Sequence, residues 1–399
     1  MTKRKDTVDY AILGGGMAGL QIASTLASRL RGTERRALVV EPRTEYTDDR
    51  TFCFWNVEPI AAESLAAHRW SQWKLKAGGR SHIAASARYS YCCIPGEAFY
   101  QDALKKLEAS DEVELRQGVN ALSVDRPRGA AELEVSLGES TVTSGVVYDT
   151  RPSKELSERA DILQHFMGWR VKTDSAVFDP QTVTLMDFDV SQAHGLHFMY
   201  VLPFSETEAL IESTFFSPEV VDNSVYASLM TDYLRDEYGL SDADFRVMRQ
   251  ERGIVPMTTA ELGETGDDAW HRLGTPGGFV RPATGYCFHQ TSRWIEGHAS
   301  WLAEPSGDRP PVRSMGLKWL DAVLLSFLLH RPEDAPQVFL GLFERVPPDA
   351  LVRFLSDVGS LADTLRVMWA MPVIPFVKEA MRLGRVAPLQ IRESASDSM

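Results

Sequence analysis

Residues 8–19 read VDYAILGGGMAG, and this stretch decides the fold. Its first half is a short buried strand, and the three glycines open residues 20–30, where apolar side chains recur at helical spacing. Residues 37–40 form a second apolar strand, which ends in Glu41. A strand, a glycine-rich turn, a helix and a second strand in this order predict a β-α-β unit with a parallel sheet.

The spacing of the glycines in this turn suits a pyrophosphate group. Gly14 permits the tight turn, Gly16 lets the backbone approach the phosphates, and Gly19 lets the helix pack closely on the strand. The free N–H groups at the start of the helix attract phosphate, and Glu41 is placed to accept hydrogen bonds from ribose hydroxyls. A glycine-rich connection with a solvent-facing Glu41 is the alternative. The residues predicted to bind a dinucleotide here are Gly14, Gly16, Met17, Ala18, Gly19 and Glu41.

Composition limits the classes of function. The chain has 399 residues, of which 44% are hydrophobic and 24% charged, and this length suits two globular domains. A formal net charge of −13 argues against nucleic acid as a partner. The four cysteines form no CxxC pair, so we predict no metal site and a reduced, cytoplasmic setting. Uncharged apolar stretches such as residues 322–329 are too short to cross a bilayer, so we expect a protein that is soluble or lies on a membrane surface.

The rest of the chain predicts a helix at residues 98–107, a β-rich middle and a helical end. A strand and a turn are expected at residues 273–280, and helices divided by prolines after residue 312. A long insertion that returns to a glycine-rich segment near Gly274 is typical of a flavoprotein with extended FAD. The predicted domains are a discontinuous FAD-binding domain (1–75, 110–160 and 262–310), a substrate-binding domain (76–109 and 161–261) and a helical region (311–399) that is a candidate for membrane contact.

Eight short stretches carry a family resemblance through their order and spacing. They read LGGGMAGL at 13–20, RTFCFW at 50–55, YCCI at 91–94, FMGW at 166–169, FMYVLP at 198–203, LIEST at 210–214, ERGIVP at 251–256 and PATGY at 282–286. Together they resemble the bacterial lycopene β-cyclase family, relatives of the flavin hydroxylases of the glutathione-reductase superfamily. The resemblance implies an α/β fold with a Rossmann-like FAD-binding domain, an inserted β-rich substrate domain and a helical C-terminal part.

The resemblance also implies a reaction. Enzymes of this family protonate an acyclic ψ end of lycopene, and the carbocation closes to a β-ionone ring without net redox change. They require FAD in its reduced form, with NAD(P)H as its reductant. The implied enzyme class is an intramolecular lyase or isomerase. The implied substrate, lycopene or a related acyclic carotenoid, would reach a cytoplasmic, peripheral enzyme from a membrane.

Glu212 is the predicted general acid. Protonation of an alkene needs an acid held away from water, and a carboxylic acid kept neutral by apolar neighbours meets this need. Glu212 lies between apolar and aromatic residues, and it aligns with the acidic residue of the family's cyclase motif. A solvent-facing glutamate on an alternating strand is the alternative. The family often has a second acid directly afterwards, but here Ser213 follows, which leaves flavin, Glu251 and water as possible bases.

Further contacts follow from the resemblance and from the aromatic residues. Glu251 matches an acid that is usual in the family, although a surface ion pair with Arg252 is the interpretation that the sequence favours. Aromatic rings can stabilise a carbocation, with simple core packing as the alternative. The predicted substrate contacts are Phe54, Trp55, Trp169, Tyr200 and Glu251. The predicted flavin contacts are Arg50, which could neutralise phosphate or ring charge, and Gly277, Gly278, Thr284, Gly285 and Tyr286, which could present backbone N–H groups to the ring.

Two matters stay open at this stage. A FAD-dependent monooxygenase or halogenase that acts on a lipophilic substrate is the alternative function, and a catalytically inactive binding protein is another. Residues 319–329 and 367–377 are the candidates for membrane contact, and for each segment a core helix is the alternative.

Overall fold

The computed structural model describes residues 5–260 and 265–393, and predictions that fall on residues 1–4, 261–264 and 394–399 lie outside the described residues. The strands are β1 (Lys5–Leu13), β2 (Ala37–Glu41), β3 (Thr51–Trp55), β4 (His68–Trp70), β5 (Gln72–Ala77), β6 (Arg80–Ala85), β7 (Tyr91–Pro95), β8 (Val113–Gln117), β9 (Ser123–Asp125), β10 (Leu133–Ser136), β11 (Thr141–Asp149), β12 (Ile162–Thr173), β13 (Thr182–Asp187), β14 (Leu196–Ser205), β15 (Glu208–Ser217), β16 (Phe245–Met257) and β17 (Trp270–Arg272). The α-helices are α1 (Met17–Arg29), α2 (Gly96–Glu108), α3 (Lys154–Glu158), α4 (Asn223–Tyr238), α5 (Phe288–Gly297), α6 (Ala299–Ala303), α7 (Met315–His330), α8 (Ala335–Arg345), α9 (Pro348–Leu355), α10 (Leu361–Ala370) and α11 (Val373–Glu393).

The first sheet is built around the predicted β-α-β unit. Its order is β8-β2-β1-β11-β10-β9, with β17 added beside β11. The β8–β2, β2–β1, β1–β11 and β11–β17 pairs are parallel. The β11–β10 and β10–β9 pairs are antiparallel. β2 is buried along its whole length, because a parallel strand is covered on both faces. Helices α1, α2, α5 and α6 form the layer on one side.

The second sheet is almost entirely antiparallel, in the order β16-β12-β15-β14-β13-β5-β6. One face packs on α4 through a buried cluster that includes Ile211, Phe215 and Tyr226. The other face contributes to a larger cluster with the C-terminal helices, including Leu210, Phe216 and Phe327. Side chains along each strand point alternately to the two faces of the sheet, so one residue packs toward α4 and the next packs toward the C-terminal helices.

Contacts between elements cross the predicted boundary between the two domains near residue 75. β5 crosses the predicted boundary at residue 75 and pairs with β13 of the second sheet, and α2 lies within the predicted range 76–109 but packs against α1. A small third sheet, β3-β7-β4, carries segments from both predicted ranges. We propose a domain division that follows these contacts, with β5 and β6 in the substrate domain and α2 in the nucleotide domain.

The C-terminal helices α7 to α11 are joined to the rest of the chain by a buried cluster of charges. Arg281 pairs with Asp321 of α7 and with Asp357 at 3.2 Å each, and Arg313 pairs with Asp357 at 2.8 Å. Arg281 also donates to the carbonyl oxygen of Phe354. Buried charges are stabilised only when they are paired and hydrogen bonded, so this cluster fixes α7 and α9 against the 281–286 turn.

The local predictions near the N-terminus are confirmed: residues 8–13, 20–30 and 37–40 fall in or beside β1, α1 and β2, and residues 98–107 fall in α2. The strand expected within residues 273–280 is wrong, because β17 ends at Arg272. Gly274 and Gly278 have φ values of +67° and +79°, so the segment turns instead of extending. No helix within residues 5–260 and 265–393 combines the length and the apolar character needed to span a membrane.

Candidate active site

The glycine-rich turn lies at the carboxyl end of β1, where open α/β sheets bind ligands. Gly14 has a φ of +96°, and a Cβ atom on Gly19 would overlap the carbonyl oxygen of Gly14. Both positions therefore need glycine. A Cβ atom on Gly16 would meet nothing within 4 Å. Gly16 is the N-cap residue of α1 and has no side chain that could accept hydrogen bonds from the free N–H groups of the first turn. Met17 and Ala18 lie in this turn.

Glu41 and Thr150 hold the shape of this turn. One carboxylate oxygen of Glu41 accepts a hydrogen bond from the backbone N–H of Gly15 at 2.5 Å, and the other accepts from Arg43 at 2.8 Å. The Thr150 hydroxyl donates to the carbonyl oxygen of Gly14 at 3.0 Å. Glu41 is buried, so the alternative of a solvent-facing side chain is wrong.

The 273–278 loop packs against the same turn. A Cβ atom on Gly274 would lie 2.9 Å from the Cβ atom of Ala18, and one on Gly277 would lie 2.5 Å from the carbonyl oxygen of Arg272. A Cβ atom on Gly278 would meet nothing within 4 Å. The loops that follow β1, β11 and β17 thus meet around one end of the first sheet. The backbone is accessible at Gly16 and Gly278, where no other atom lies within 4 Å of the position that a Cβ atom would take.

The 281–286 turn forms part of a cavity of about 700 Å³. The backbone N–H of Arg281 donates to the carbonyl oxygen of Tyr286 at 2.9 Å, which closes the turn and presents Thr284, Gly285 and Tyr286 to the cavity. Arg50 lines the same cavity and is largely exposed, with its guanidinium bonded to the carbonyl oxygen of Asp49. The predicted flavin contacts therefore lie in two places: the 273–278 loop on the first sheet, and the cavity wall.

Two carboxyl groups face the cavity from neighbouring strands. Glu212 of β15 and Glu251 of β16 are both in register with Gly168 of β12, which lies between them. Tyr200 of β14 is in register with Glu212 on the other side, so Tyr200, Glu212, Gly168 and Glu251 form one row across the sheet. A Cβ atom on Gly168 would lie 2.8 Å from Cγ of Glu212 and 3.2 Å from Cγ of Glu251. The glycine therefore lets the two carboxyl groups approach each other.

The two carboxyl groups have different partners. Burial raises the pKa of Glu212 well above its usual range, and the nearby charge and hydrogen bond of Glu251 raise it further. Glu251 is 6% exposed, and its Oε2 accepts hydrogen bonds from the Thr51 hydroxyl at 2.8 Å and from Arg249 at 2.7 Å. The prediction that Glu251 forms a surface ion pair with Arg252 is wrong, because strand alternation places only Arg252 in solvent.

The predicted aromatic contacts separate into two groups. Trp55 and Tyr200 line the cavity, whereas Phe54 lies on the opposite side of β3 and stacks on Phe288 with ring centroids 5.5 Å apart. Trp169 lies away from the cavity and packs near Phe245 behind the sheet. The structure thus does not bring Phe54 and Trp169 together with Glu212.

Several cavity residues were missed at the sequence level. Tyr91 accepts a hydrogen bond from Tyr200 at 2.9 Å and lies 3.3 Å from the hydroxyl of Tyr286, so three phenols meet on one wall. Burial raises the pKa of Cys53, which lines the same wall as a neutral thiol. Tyr91 and Cys53 lie in two of the quoted family stretches, which was the available signal. The opposite wall comes from α7, α8, α10 and α11, and no local pattern could assign those helices to a cavity.

The cavity opens between apolar side chains of the C-terminal helices. Trp369, which is 86% exposed, Val373 and Trp319 line it and are also open to solvent. Other large apolar residues of the same helices are exposed, namely Met315, Leu361, Leu365, Met368, Ile374, Val377 and Met381. Exposed apolar patches of this kind mark interaction sites. We call these ten residues the apolar rim.

Among residues 5–260 and 265–393, no group of three or more histidine, cysteine or acidic side chains is arranged to hold a metal ion. The site is therefore described by its carboxyl pair, its phenols and its apolar walls.

Comparison with known proteins identifies the family. A family model described as "Lycopene cyclase protein" matches residues 9–381. The chain belongs to the lycopene cyclase family. It is 28% identical over 384 residues to the lycopene β-cyclase of Paracoccus sp. (strain N81106 / MBIC 01143), covering 92% of this chain and 95% of that protein. It is 26% identical over 395 residues to the lycopene β-cyclase of Pseudescherichia vulneris, with the same coverage.

Solved structures show that the fold of this cyclase family member is shared more widely. The TM-score is 0.60 against a geranylgeranyl bacteriochlorophyll reductase-like protein of Thermoplasma acidophilum, at 14% identity over 95% of this chain and 100% of that one. It is 0.58 against p-nitrophenol 4-monooxygenase PnpA of Pseudomonas putida DLL-E4, at 12% identity over 95% and 98%. It is 0.51 against a variant of halogenase PltM in complex with FAD, at 12% identity over 86% and 78%. The predicted α/β fold class with its helical C-terminal part is confirmed.

Proposed function

We propose that this protein is a lycopene β-cyclase, an intramolecular lyase or isomerase that closes the ψ ends of lycopene to β-ionone rings and so forms γ-carotene and β-carotene. The observation that carries the proposal is Glu212, a carboxylic acid kept neutral on the wall of a large apolar cavity. Membership of the family and the names of the relatives from Paracoccus and Pseudescherichia vulneris support the choice of substrate.

The reaction starts and ends with a proton, so it needs no net oxidation. The raised pKa of Glu212 favours its protonated form, which is the form that can protonate the terminal double bond. The carbocation then closes on the next double bond of the chain, and loss of a ring proton gives the β ring. Apolar walls exclude water, which would otherwise capture the cation.

Aromatic side chains on the cavity wall can stabilise the cation. The faces of Trp55 and Tyr200 are electron-rich, and their ring quadrupoles attract positive charge. The Tyr200 hydroxyl donates to Tyr91, whose hydroxyl lies 3.3 Å from that of Tyr286, so these contacts hold the Tyr200 ring in place. Burial raises the pKa of Tyr200 and Tyr91 well above the usual range, so these phenols stay neutral and cannot capture the cation as phenolates.

The residues around the glycine-rich turn fit FAD. The open backbone at Gly16 and the uncapped start of α1 suit a pyrophosphate, and Glu41 lies where a ribose would be bound. Open backbone at Gly278 and the 284–286 turn suit the flavin end of the cofactor. When bound in its reduced form, FAD supplies an electron-rich ring that stabilises positive charge. The family resemblance adds NAD(P)H as its reductant.

A membrane surface is the source of substrate in this proposal, and the enzyme is a cytoplasmic, peripheral membrane protein. Lycopene is a long hydrocarbon that is practically insoluble in water, so it must enter from a bilayer. Five members of the apolar rim line the cavity, namely Trp319, Met368, Trp369, Val373 and Val377. Lys378 and Arg382 are exposed on the same helix as Val373 and Val377. Exposed apolar side chains flanked by basic residues are typical of a surface that lies on anionic lipid.

An anaerobic assay tests the proposed function against the monooxygenase and halogenase alternative. The purified protein, FAD and dithionite are incubated with lycopene in liposomes without oxygen, and the pigments are separated by chromatography with absorption spectra. We expect γ-carotene and β-carotene to form with no stoichiometric use of reductant. Unchanged lycopene, together with turnover of another lipid only when O₂ and NADPH are consumed, would replace this function with that of a monooxygenase.

A further inference from the structure

The second carboxyl group of the cavity has no assigned step in the reaction above. Glu251 is separated from Glu212 only by Gly168, and a Cβ atom on Gly168 would lie within 3.2 Å of Cγ of both side chains, so the two carboxyl groups lie side by side on the cavity wall. Ser213, the next residue after Glu212, faces away and bonds His197 at 2.9 Å. The second carboxyl group of this site therefore comes from the neighbouring strand β16.

The partners of Glu251 decide which member of the pair carries the proton. Its Oε2 accepts from Thr51 and from the guanidinium of Arg249, and Arg249 is itself paired with Asp48 at 3.0 Å. Arg249 therefore places a positive charge directly beside Glu251, whereas burial and the neighbouring charge of Glu251 raise the pKa of Glu212. In this proposal Glu212 holds the proton of the pair and Glu251 lies beside it as the carboxylate.

We propose that Glu251 is the catalytic base that removes the ring proton in the last step of cyclisation, an inference that rests on the proposed function. Glu212 gives its proton to the inner carbon of the terminal double bond, which leaves a tertiary cation on the outer carbon. The electrons of the next double bond form the ring bond to that cation and leave a second tertiary cation within the ring. Glu251 takes the proton from the ring carbon attached to the polyene, and the electrons of that C–H bond become the ring double bond. The proton then returns from Glu251 to the neighbouring Glu212, which restores the starting state.

The strength of this base matches its task. A C–H bond next to a tertiary carbocation is strongly acidic, so a carboxylate, although only a weak base, can remove its proton. Loss of a different proton from the same cation would place the double bond elsewhere in the ring or outside it. The position of Glu251 therefore also determines that the product is a β ring.

The test uses lycopene labelled with deuterium at the ring-forming carbon that loses its proton. The holoenzyme variants Glu251→Gln and Glu251→Asp are compared with the wild type under the anaerobic conditions above. Glu208→Gln, an amide substitution on β15 whose parent side chain pairs with Arg170, is the matched control. FAD content and melting temperature are measured for every variant.

We expect Glu251→Gln to slow β-ring formation by about 10²–10⁴-fold. The residual products should retain the label as ring isomers or hydrated monocycles, because protonation continues without its usual base. In Glu251→Asp, the carboxylate is withdrawn by one methylene, so proton loss becomes slower and the isotope effect on β-ring formation increases. The Glu208→Gln control should match the wild type.

Two results would overturn the assignment. One is a folded, FAD-loaded Glu251→Asp enzyme with the isotope effect and product pattern of the wild type. The other is Glu251→Gln that forms β rings at the wild-type rate. Either result with an active wild type removes only the role of Glu251, whereas a wild type that returns lycopene unchanged removes the proposed function itself.

Discussion

Gly168 controls how closely the two carboxyl groups of the cavity can approach. A Cβ atom there would lie 2.8 Å from Cγ and 3.1 Å from Oε1 of Glu212, closer than ordinary contacts allow. We predict that Gly168→Ala separates the pair, costs about 1–3 kcal/mol of stability from overpacking, and lowers kcat by about 100-fold because the acid is misplaced. Urea unfolding and cyclisation assays measure the two effects. Gly297→Ala is the control, since its Cβ atom would meet nothing within 4 Å, and an equal loss of activity in both variants would refute this role.

The proton on Glu212 affects stability as well as activity. Its pKa in the folded protein lies well above the ordinary value of 4.5, so the folded state holds an extra proton between these two values. The contribution of Glu212 to the stability of the folded state is therefore fully present below pH 4.5. It is lost as pH rises from 4.5 through the raised pKa of the folded protein. We predict that Glu212→Gln has a higher melting temperature than the wild type, and that the difference grows with pH. Thermal melts across the pH range check this, and a difference independent of pH would contradict it.

Residue-level prediction succeeded where strand alternation and local composition agreed. Apolar neighbours on both sides of Glu212 indicated burial, and it is buried. The sheet faces on which Trp169 and Glu251 lie depend on register with strands far along the chain, because a shift of one residue moves every side chain of a strand to the other face. Gly168, not Trp169, faces the cavity, and Glu251, not Arg252, is buried.

The elements that close the cavity are held by the buried charges between the 281–286 turn and helices α7 and α9. Arg281 is 2% exposed and contacts both Asp321 and Asp357. We predict that Arg281→Met destabilises the protein by about 3–5 kcal/mol, because it leaves buried carboxylates without their partner. Arg235→Met removes an exposed pair with Asp232 and should leave the unfolding midpoint close to that of the wild type. Urea unfolding of both variants checks this, and equal midpoints would contradict it.

Element-level prediction was strongest for β1, α1 and β2, because their contacts are close in sequence. The strand expected within residues 273–280 was wrong because Gly274 and Gly278 turn the chain. The cavity wall formed by α7, α8, α10 and α11 depends on packing between these helices and strands that lie far away in the sequence, as the stacking of Phe188 on Phe339 shows. Hydrophobic periodicity predicts that these segments are helical, but it does not predict which part of the protein they pack against.

At the scale of the whole molecule, the cavity connects the row of carboxyl groups with a surface of exposed apolar side chains. We predict that the double variant Trp369→Glu/Ile374→Glu floats less with anionic liposomes than the wild type, because each large apolar side chain contributes about 1.5–3 kcal/mol when it leaves water. Leu122→Glu is the control, since Leu122 is also exposed but lies beside β9 and β10. The double variant should still cyclise lycopene supplied in detergent. Unchanged flotation would show that the apolar rim is not the membrane contact.

In the proposed mechanism, Glu212 starts the cyclisation by giving up a proton in an apolar cavity. The measurement that tests this step compares the wild type with Glu212→Gln, both loaded with FAD and reduced, in anaerobic incubations with lycopene. We expect γ-carotene and β-carotene from the wild type, and lycopene recovered intact from a Glu212→Gln protein that still folds and binds FAD. Cyclised carotenoid from Glu212→Gln at a rate near that of the wild type would contradict it.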